Sequence, residues 1–127
     1  MDEPRVANPG WWRGRLRSFG YAFRGLAICF RTQANARIHA LATVLVVALG
    51  FALKLAAWEW CAVVISIASV WAAECFNTAM ESVVDLVSPE RRPLAGRIKD
   101  LAAGAVLAAA IGAAVVGAII FVPKLLH

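Results

Sequence analysis

Four polar residues interrupt an apolar stretch that runs from Trp58 to Asp85: Glu74, Asn77, Glu81 and Asp85 itself. Their spacings of 3, 4 and 4 place them within roughly 80° of arc on one helical face. Ionisable residues inside a membrane-spanning helix are costly and usually mark a functional site. Carboxylates on one face suit a divalent metal, with one left over as a base. The alternative is a polar seam that holds an oligomer together.

The composition restricts the class of protein. The chain has 127 residues, of which 61% are hydrophobic, and a mean hydropathy of +0.71. A soluble fold of this size could not bury that much apolar surface, so the sequence predicts one all-α integral membrane domain. Cys29, Cys61 and Cys75 are isolated in apolar surroundings, which predicts buried free thiols and neither a disulfide framework nor a zinc site.

The helices that must position the polar face follow from charge and periodicity. We expect a disordered tail over residues 1–9 and an amphipathic helix over 10–32 that lies along the membrane surface. Membrane spans are expected at 38–57, 58–86 and 95–122, so that residues 32–39 form a linker and Pro123 ends the last span. No nucleic-acid partner is expected, because the aromatic side chains of the first helix lie on its apolar side.

The basic residues predict the topology. Of the thirteen lysines and arginines, seven precede or enter the first span and four flank the loop before the third. The N-terminus and this second loop are therefore expected in the cytoplasm, with the C-terminus on the opposite side. His39, at a span boundary, is interpreted as an interfacial anchor. Gly104, Ala108 and Gly112 form a ridge of small residues that permits close helix contact.

Cationic side chains are predicted to meet the polar face at the cytoplasmic surface. Arg91 and Arg92 lie in the second loop, and Lys99 and Asp100 follow in the next helix. Metal ligands, cations for phosphate and a spare carboxylate are the parts of a phosphoryl-transfer site, although no Walker A motif is present. Two other readings stay open at this point: a proton-coupled transporter that uses Glu74, and a non-catalytic scaffold.

A family resemblance favours the first reading. The run ECFNTAMESVVD at residues 74–85 closely resembles the E-x-x-N-(S/T)-A-x-E-x-x-x-D signature of the small prokaryotic diacylglycerol kinase and undecaprenol kinase family. The similarity continues in GYAFRGL at 20–26, NARIH at 35–39 and KDLAAGAV at 99–106, and covers roughly residues 15 to 122. The signature is long and specific.

The resemblance implies a function and a set of site residues. It implies a homotrimer of the bacterial inner membrane, with active sites shared between subunits, that transfers phosphate from ATP to a lipid hydroxyl with Mg²⁺. Glu74 would be the general base, Glu81 would bind the metal, and Asn77 and Asp85 would support the site or the lipid. The residues expected to contact ATP are Tyr21, Gln33, Glu81, Glu90, Arg91, Arg92, Lys99 and Asp100.

Two departures from the family pattern affect these expectations. Gln33 stands where many members have a second metal-binding glutamate, and its amide oxygen would bind Mg²⁺ more weakly. Gly14 stands where some members have an arginine, which puts that ligand contact in doubt. The NARIH and DLVSPE runs favour undecaprenol as the lipid, with diacylglycerol as the alternative.

Overall fold

A computed structural model describes residues 10–127 as four α-helices. They are α1 (Gly10–Thr32), α2 (Ala34–Ala52), α3 (Ala57–Val87) and α4 (Pro93–Leu126). The last three are long and apolar enough to cross a membrane, which confirms the predicted all-α membrane class. The tail predicted for residues 1–9 lies outside the described residues.

A single residue separates α1 from α2. Gln33 has an extended backbone (φ −105°, ψ 123°), and the helix resumes at Ala34. The linker expected over residues 32–39 was therefore too long. The segment from Ala34 to His39 contains neither glycine nor proline, so nothing in it opposes helix formation. As a result, His39 is a residue of α2 with a fixed direction.

The turn between α2 and α3 is a tight C-terminal cap. Leu55 donates its N–H to the carbonyl of Gly50 (3.1 Å) and Lys54 donates to Phe51 (3.2 Å), the two hydrogen bonds of a Schellman motif. Lys54 takes the left-handed conformation (φ 52°) that glycine usually occupies there. The turn is shorter than expected, because the Glu59 carboxylate accepts the Ala56 N–H (2.7 Å) and lets α3 begin at Ala57.

Gly50 lies where two side chains cross this cap, and it gives a stability prediction. A Cβ at residue 50 would lie 2.5 Å from Leu55 Cδ1 and 2.8 Å from the Trp60 ring. We expect Gly50→Ala to destabilise the protein by about 1–3 kcal/mol through overpacking, measured as a lower Tm in detergent. Gly117→Ala is the control, because a Cβ there meets no atom within 4 Å. A Tm for Gly50→Ala at or above that of the control would contradict this.

The most extensive helix packing is between α3 and α4. Its apolar core joins Leu55 and Val63 to Ile120 and Phe121, at the end of the bundle that holds the α2–α3 turn. Pro123 was expected to end the last span, but α4 continues through it to Leu126. Proline removes only one hydrogen bond of the final turn, and the continued helix carries Lys124 Nζ to 3.1 Å from Glu59 Oε2.

The remaining helix faces are open. Cys29 is the one buried residue of α1, so this helix is attached to α2 and α3 at its C-terminal end. The Gly104–Ala108–Gly112 ridge also faces outwards, and a Cβ at either glycine would meet no atom within 4 Å. The three thiols are free, as predicted, but Cys61 is exposed and Cys75 is only half-buried.

Candidate functional site

The polar face of α3 passes from the interior of the bundle to its surface. Glu74 is 1% exposed and Asn77 is also buried, whereas Glu81 is half-buried and Asp85 is exposed. Glu74 and Glu81 are two turns apart, about 10 Å along the axis. The face predicted from the 3, 4, 4 spacing therefore contains two distinct sites for a carboxylate, one deep and one close to the surface.

Two amide side chains hold the Glu81 carboxylate. Gln33 Nε2 donates to Glu81 Oε2 (2.9 Å), and Asn77 Nδ2 donates to Glu81 Oε1 (3.3 Å). The break between α1 and α2 is what lets Gln33 reach across to α3. The structure thus brings together Glu81, Gln33 and Asn77, three of the residues predicted for the metal site.

His39 is the side chain that sequence reasoning missed. Its Nε2 lies 3.1 Å from Oε1 of Glu74, on the far side of α2 from solvent. Periodicity alone placed His39 at a span boundary as an anchor. The missing information was the register of two antiparallel helices, in which Gln33 lies opposite Glu81, and His39 lies opposite Glu74.

The donor set around Glu81 is compatible with Mg²⁺. Among residues 10–127 no three carboxylate, imidazole or thiol groups cluster as a metal site. Mg²⁺, however, is commonly bound through one or two carboxylates together with substrate phosphates and water. Asn77 Oδ1 is buried and has no hydrogen-bond partner among the described residues, so it offers a further oxygen ligand beside Glu81.

A second polar region lies one turn further along α3. Lys99 Nζ is 2.6 Å from Asp85 Oδ1, which ties α4 to α3 at this end. Beside this ion pair the α3–α4 loop encloses a cavity of about 450 Å³, whose lining includes Glu90, Arg91 and Arg92. Tyr21 and Asp100, also predicted to contact nucleotide, are exposed, and Tyr21 stacks beside Arg24 (5.8 Å).

An apolar cavity lies on the other side of the deep carboxylate. It has a volume of about 300 Å³ between α2, α3 and α4, and His39 is part of its wall. Small residues of α4, Ala110, Ala113, Ala114 and Gly117, make room for it. A hydrocarbon chain in this cavity would end beside His39 and Glu74.

The chain has relatives of known type. Residues 20–121 match the prokaryotic diacylglycerol kinase family. The chain is 39% identical over 110 residues to an undecaprenol kinase of Bacillus subtilis, covering 87% of this chain and 89% of that protein. It is 44% identical over 112 residues to a diacylglycerol kinase of Synechocystis, covering 87% of this chain and 64% of that protein. The diacylglycerol kinase of Escherichia coli is 32% identical over 100 residues, or 79% and 82% of the two chains.

Proposed function

The chain belongs to the prokaryotic diacylglycerol kinase family and is a lipid kinase that uses ATP; we propose that its lipid substrate is undecaprenol. The observation that carries the proposal is the arrangement of Glu74 and Glu81 on one face of α3. The deep carboxylate borders an apolar cavity, and the outer one lies toward a cation-lined cavity at the end of the bundle. Such a site can join a lipid alcohol to a polyphosphate.

We propose that Glu74 is the general base. It would accept the proton of the lipid hydroxyl as the oxygen attacks the γ-phosphorus of ATP, and the bond from that phosphorus to ADP breaks. Its depth supports this role, because the hydroxyl of a lipid whose chain fills the apolar cavity would arrive beside it. A buried site also excludes water, which would otherwise compete as acceptor.

Glu81, Gln33 and Asn77 would hold Mg²⁺ together with the ATP phosphates. The ion supplies charge neutralisation on the transferred phosphoryl group when it is bound. The amide side chains hold Glu81 in place, so the carboxylate needs little rearrangement to act as a ligand. Lys99, Arg91 and Arg92 would bind phosphate oxygens, and Tyr21, Glu90 and Asp100 would complete the nucleotide site around the α3–α4 loop.

We propose that α1 lies along the cytoplasmic face of the inner membrane. Its arginines support this: residues 13, 17, 24 and 31 fall within about 40° of arc, and large apolar residues fill a separate face about 115° away. The segment Gly10–Thr32 contains no acidic residue. The open faces of α1 and of the Gly104–Gly112 ridge are available to the neighbouring subunits of a homotrimer.

The choice of lipid is the finer part of the proposal. The NARIH and DLVSPE runs favour undecaprenol, and one undivided cavity beside Glu74 suits a single-chain alcohol. The test is to assay the purified chain with ATP, Mg²⁺ and either undecaprenol or diacylglycerol. We expect a higher kcat/KM for undecaprenol. A preference for diacylglycerol would reject the substrate, and phosphorylation of neither lipid would reject the kinase.

Gln33 gives a prediction about the metal. Gln33→Glu adds a second carboxylate beside Glu81, where two negative charges repel unless a cation lies between them. We expect the variant to have a lower Tm in EDTA, to regain stability with Mg²⁺, and to reach half-maximal activity at a severalfold lower Mg²⁺ concentration. Asn35→Glu, which adds the same charge at an exposed position, should leave the Mg²⁺ dependence unchanged. An unchanged Mg²⁺ requirement in Gln33→Glu would argue against metal binding at this position.

A further inference from the structure

The buried Glu74 carboxylate requires a partner in the bundle. A carboxylate that is 1% exposed cannot be solvated by bulk water, and leaving it unpaired is strongly unfavourable. The only ion pair that the described residues provide for Glu74 is with His39, whose Nε2 lies 3.1 Å from Oε1. The imidazole is therefore the group that decides how this carboxylate is oriented.

The contact is held in register by a second pair one turn further into the bundle. The Trp71 indole N–H donates to Thr43 Oγ1 (3.2 Å), and the Thr43 hydroxyl donates to the carbonyl of His39 (2.7 Å). Trp71 precedes Glu74 by three residues on α3, so both pairs lie on the same seam between α2 and α3. The position of His39 opposite Glu74 is thus a fixed feature of the helix pairing.

The pair is close, but it does not yet have hydrogen-bond geometry. Glu74 Oε1 has no hydrogen-bond partner among residues 10–127, although Nε2 is within reach. Hydrogen bonds between catalytic groups are often poorly aligned in the free enzyme and improve when substrate binds. A small rotation of the imidazole would complete this one and leave the second carboxylate oxygen for substrate.

We propose that His39 is a positioning residue for Glu74, an inference that rests on the proposed kinase function. His39 Nε2 donates to Glu74 Oε1 and fixes the carboxylate, while Oε2 accepts the proton of the lipid hydroxyl. The new bond joins the lipid oxygen to the γ-phosphorus, and the electron pair of the broken bond leaves with ADP. His39 itself neither gains nor loses a proton in this step.

Two amide variants test the role. A glutamine at residue 39 can extend its N–H₂ to about the position of Nε2, whereas an asparagine is too short. We expect His39→Asn to lower kcat about 10- to 100-fold, with the KM for ATP within about twofold of wild type. His39→Gln should stay within about fivefold of the wild-type kcat. Size-exclusion chromatography of both variants checks that assembly is unchanged.

A double mutant separates positioning from a general structural role. If His39 acts through Glu74, His39→Asn should cause no further loss in the Glu74→Gln background, whereas a structural defect would lower the residual rate again. The inference is overturned if His39→Asn keeps the wild-type kcat, if His39→Gln is as impaired as His39→Asn, or if the two losses multiply. A wild-type chain inactive on both lipids overturns the proposed function as well, and so differs from these outcomes.

Discussion

Glu74→Gln is expected to lower kcat for lipid phosphorylation by about 10²- to 10⁴-fold, the usual contribution of a general base. The amide has nearly the same size as the carboxylate but cannot accept the proton of the lipid hydroxyl. Folding should not suffer, because the substitution removes a charge that is 1% exposed. The measurements are kcat with saturating ATP and lipid, and Tm in detergent.

Glu59→Gln is the matched control for this experiment. Glu59 is a second buried glutamate of α3, at the opposite end of a helix that is about 46 Å long. It pairs with Lys124 and accepts the Ala56 N–H, so its loss should lower Tm and leave kcat unchanged. Wild-type turnover in Glu74→Gln would exclude Glu74 as the base. An equal loss of kcat in both variants would point to a defect in α3 as a whole.

Glu81→Gln is expected to reduce Mg²⁺-dependent turnover at least about 100-fold. A bound metal ion contributes several kcal/mol of transition-state stabilisation, and about 3 kcal/mol corresponds to that factor. The neutral amide is a weaker ligand, so the Mg²⁺ concentration for half-maximal activity should also rise. The side chain still fills its place between Gln33 and Asn77, and we expect the assembly to remain intact.

The outcome of Glu81→Gln also separates an enzyme from a scaffold. A scaffold would tolerate the change, whereas a metal-dependent kinase would lose turnover and keep its oligomeric state by size-exclusion chromatography. Full activity at low Mg²⁺ would contradict the assignment of Glu81 as a metal ligand. Loss of assembly together with activity would instead favour the polar-seam interpretation of this face.

The sequence predicted the polar face of α3 well, because that face depends only on helical periodicity. The spacing of Glu74, Asn77 and Glu81 fixes their common direction, and the structure brings them together. The ends of the helices were predicted less well. Pro123 was expected to stop α4, but the local preference is weaker than the packing of Ile120 and Phe121 and the Lys124–Glu59 ion pair beyond it.

The partners across helices could not be predicted from periodicity. His39 was interpreted as an anchor because nothing in its own segment indicates which residue of α3 it faces. The usable signal was the α2–α3 turn at Lys54, since antiparallel helices pair residues at similar distances from the turn that joins them. The proximity of Gln33 to Glu81 follows from the same rule, once α2 is known to begin at Ala34.

Gln33 is both the joint between two helices and a ligand of the carboxylate at the outer site. Since α1 buries only Cys29 against the bundle, a tilt of α1 pivots about this joint and pulls on the amide that holds Glu81. Once α1 rests on the bilayer, membrane thickness and lateral pressure acquire a mechanical lever on the metal-binding carboxylate. The physical state of the surrounding lipid would then be transmitted to the reaction centre through a single peptide unit.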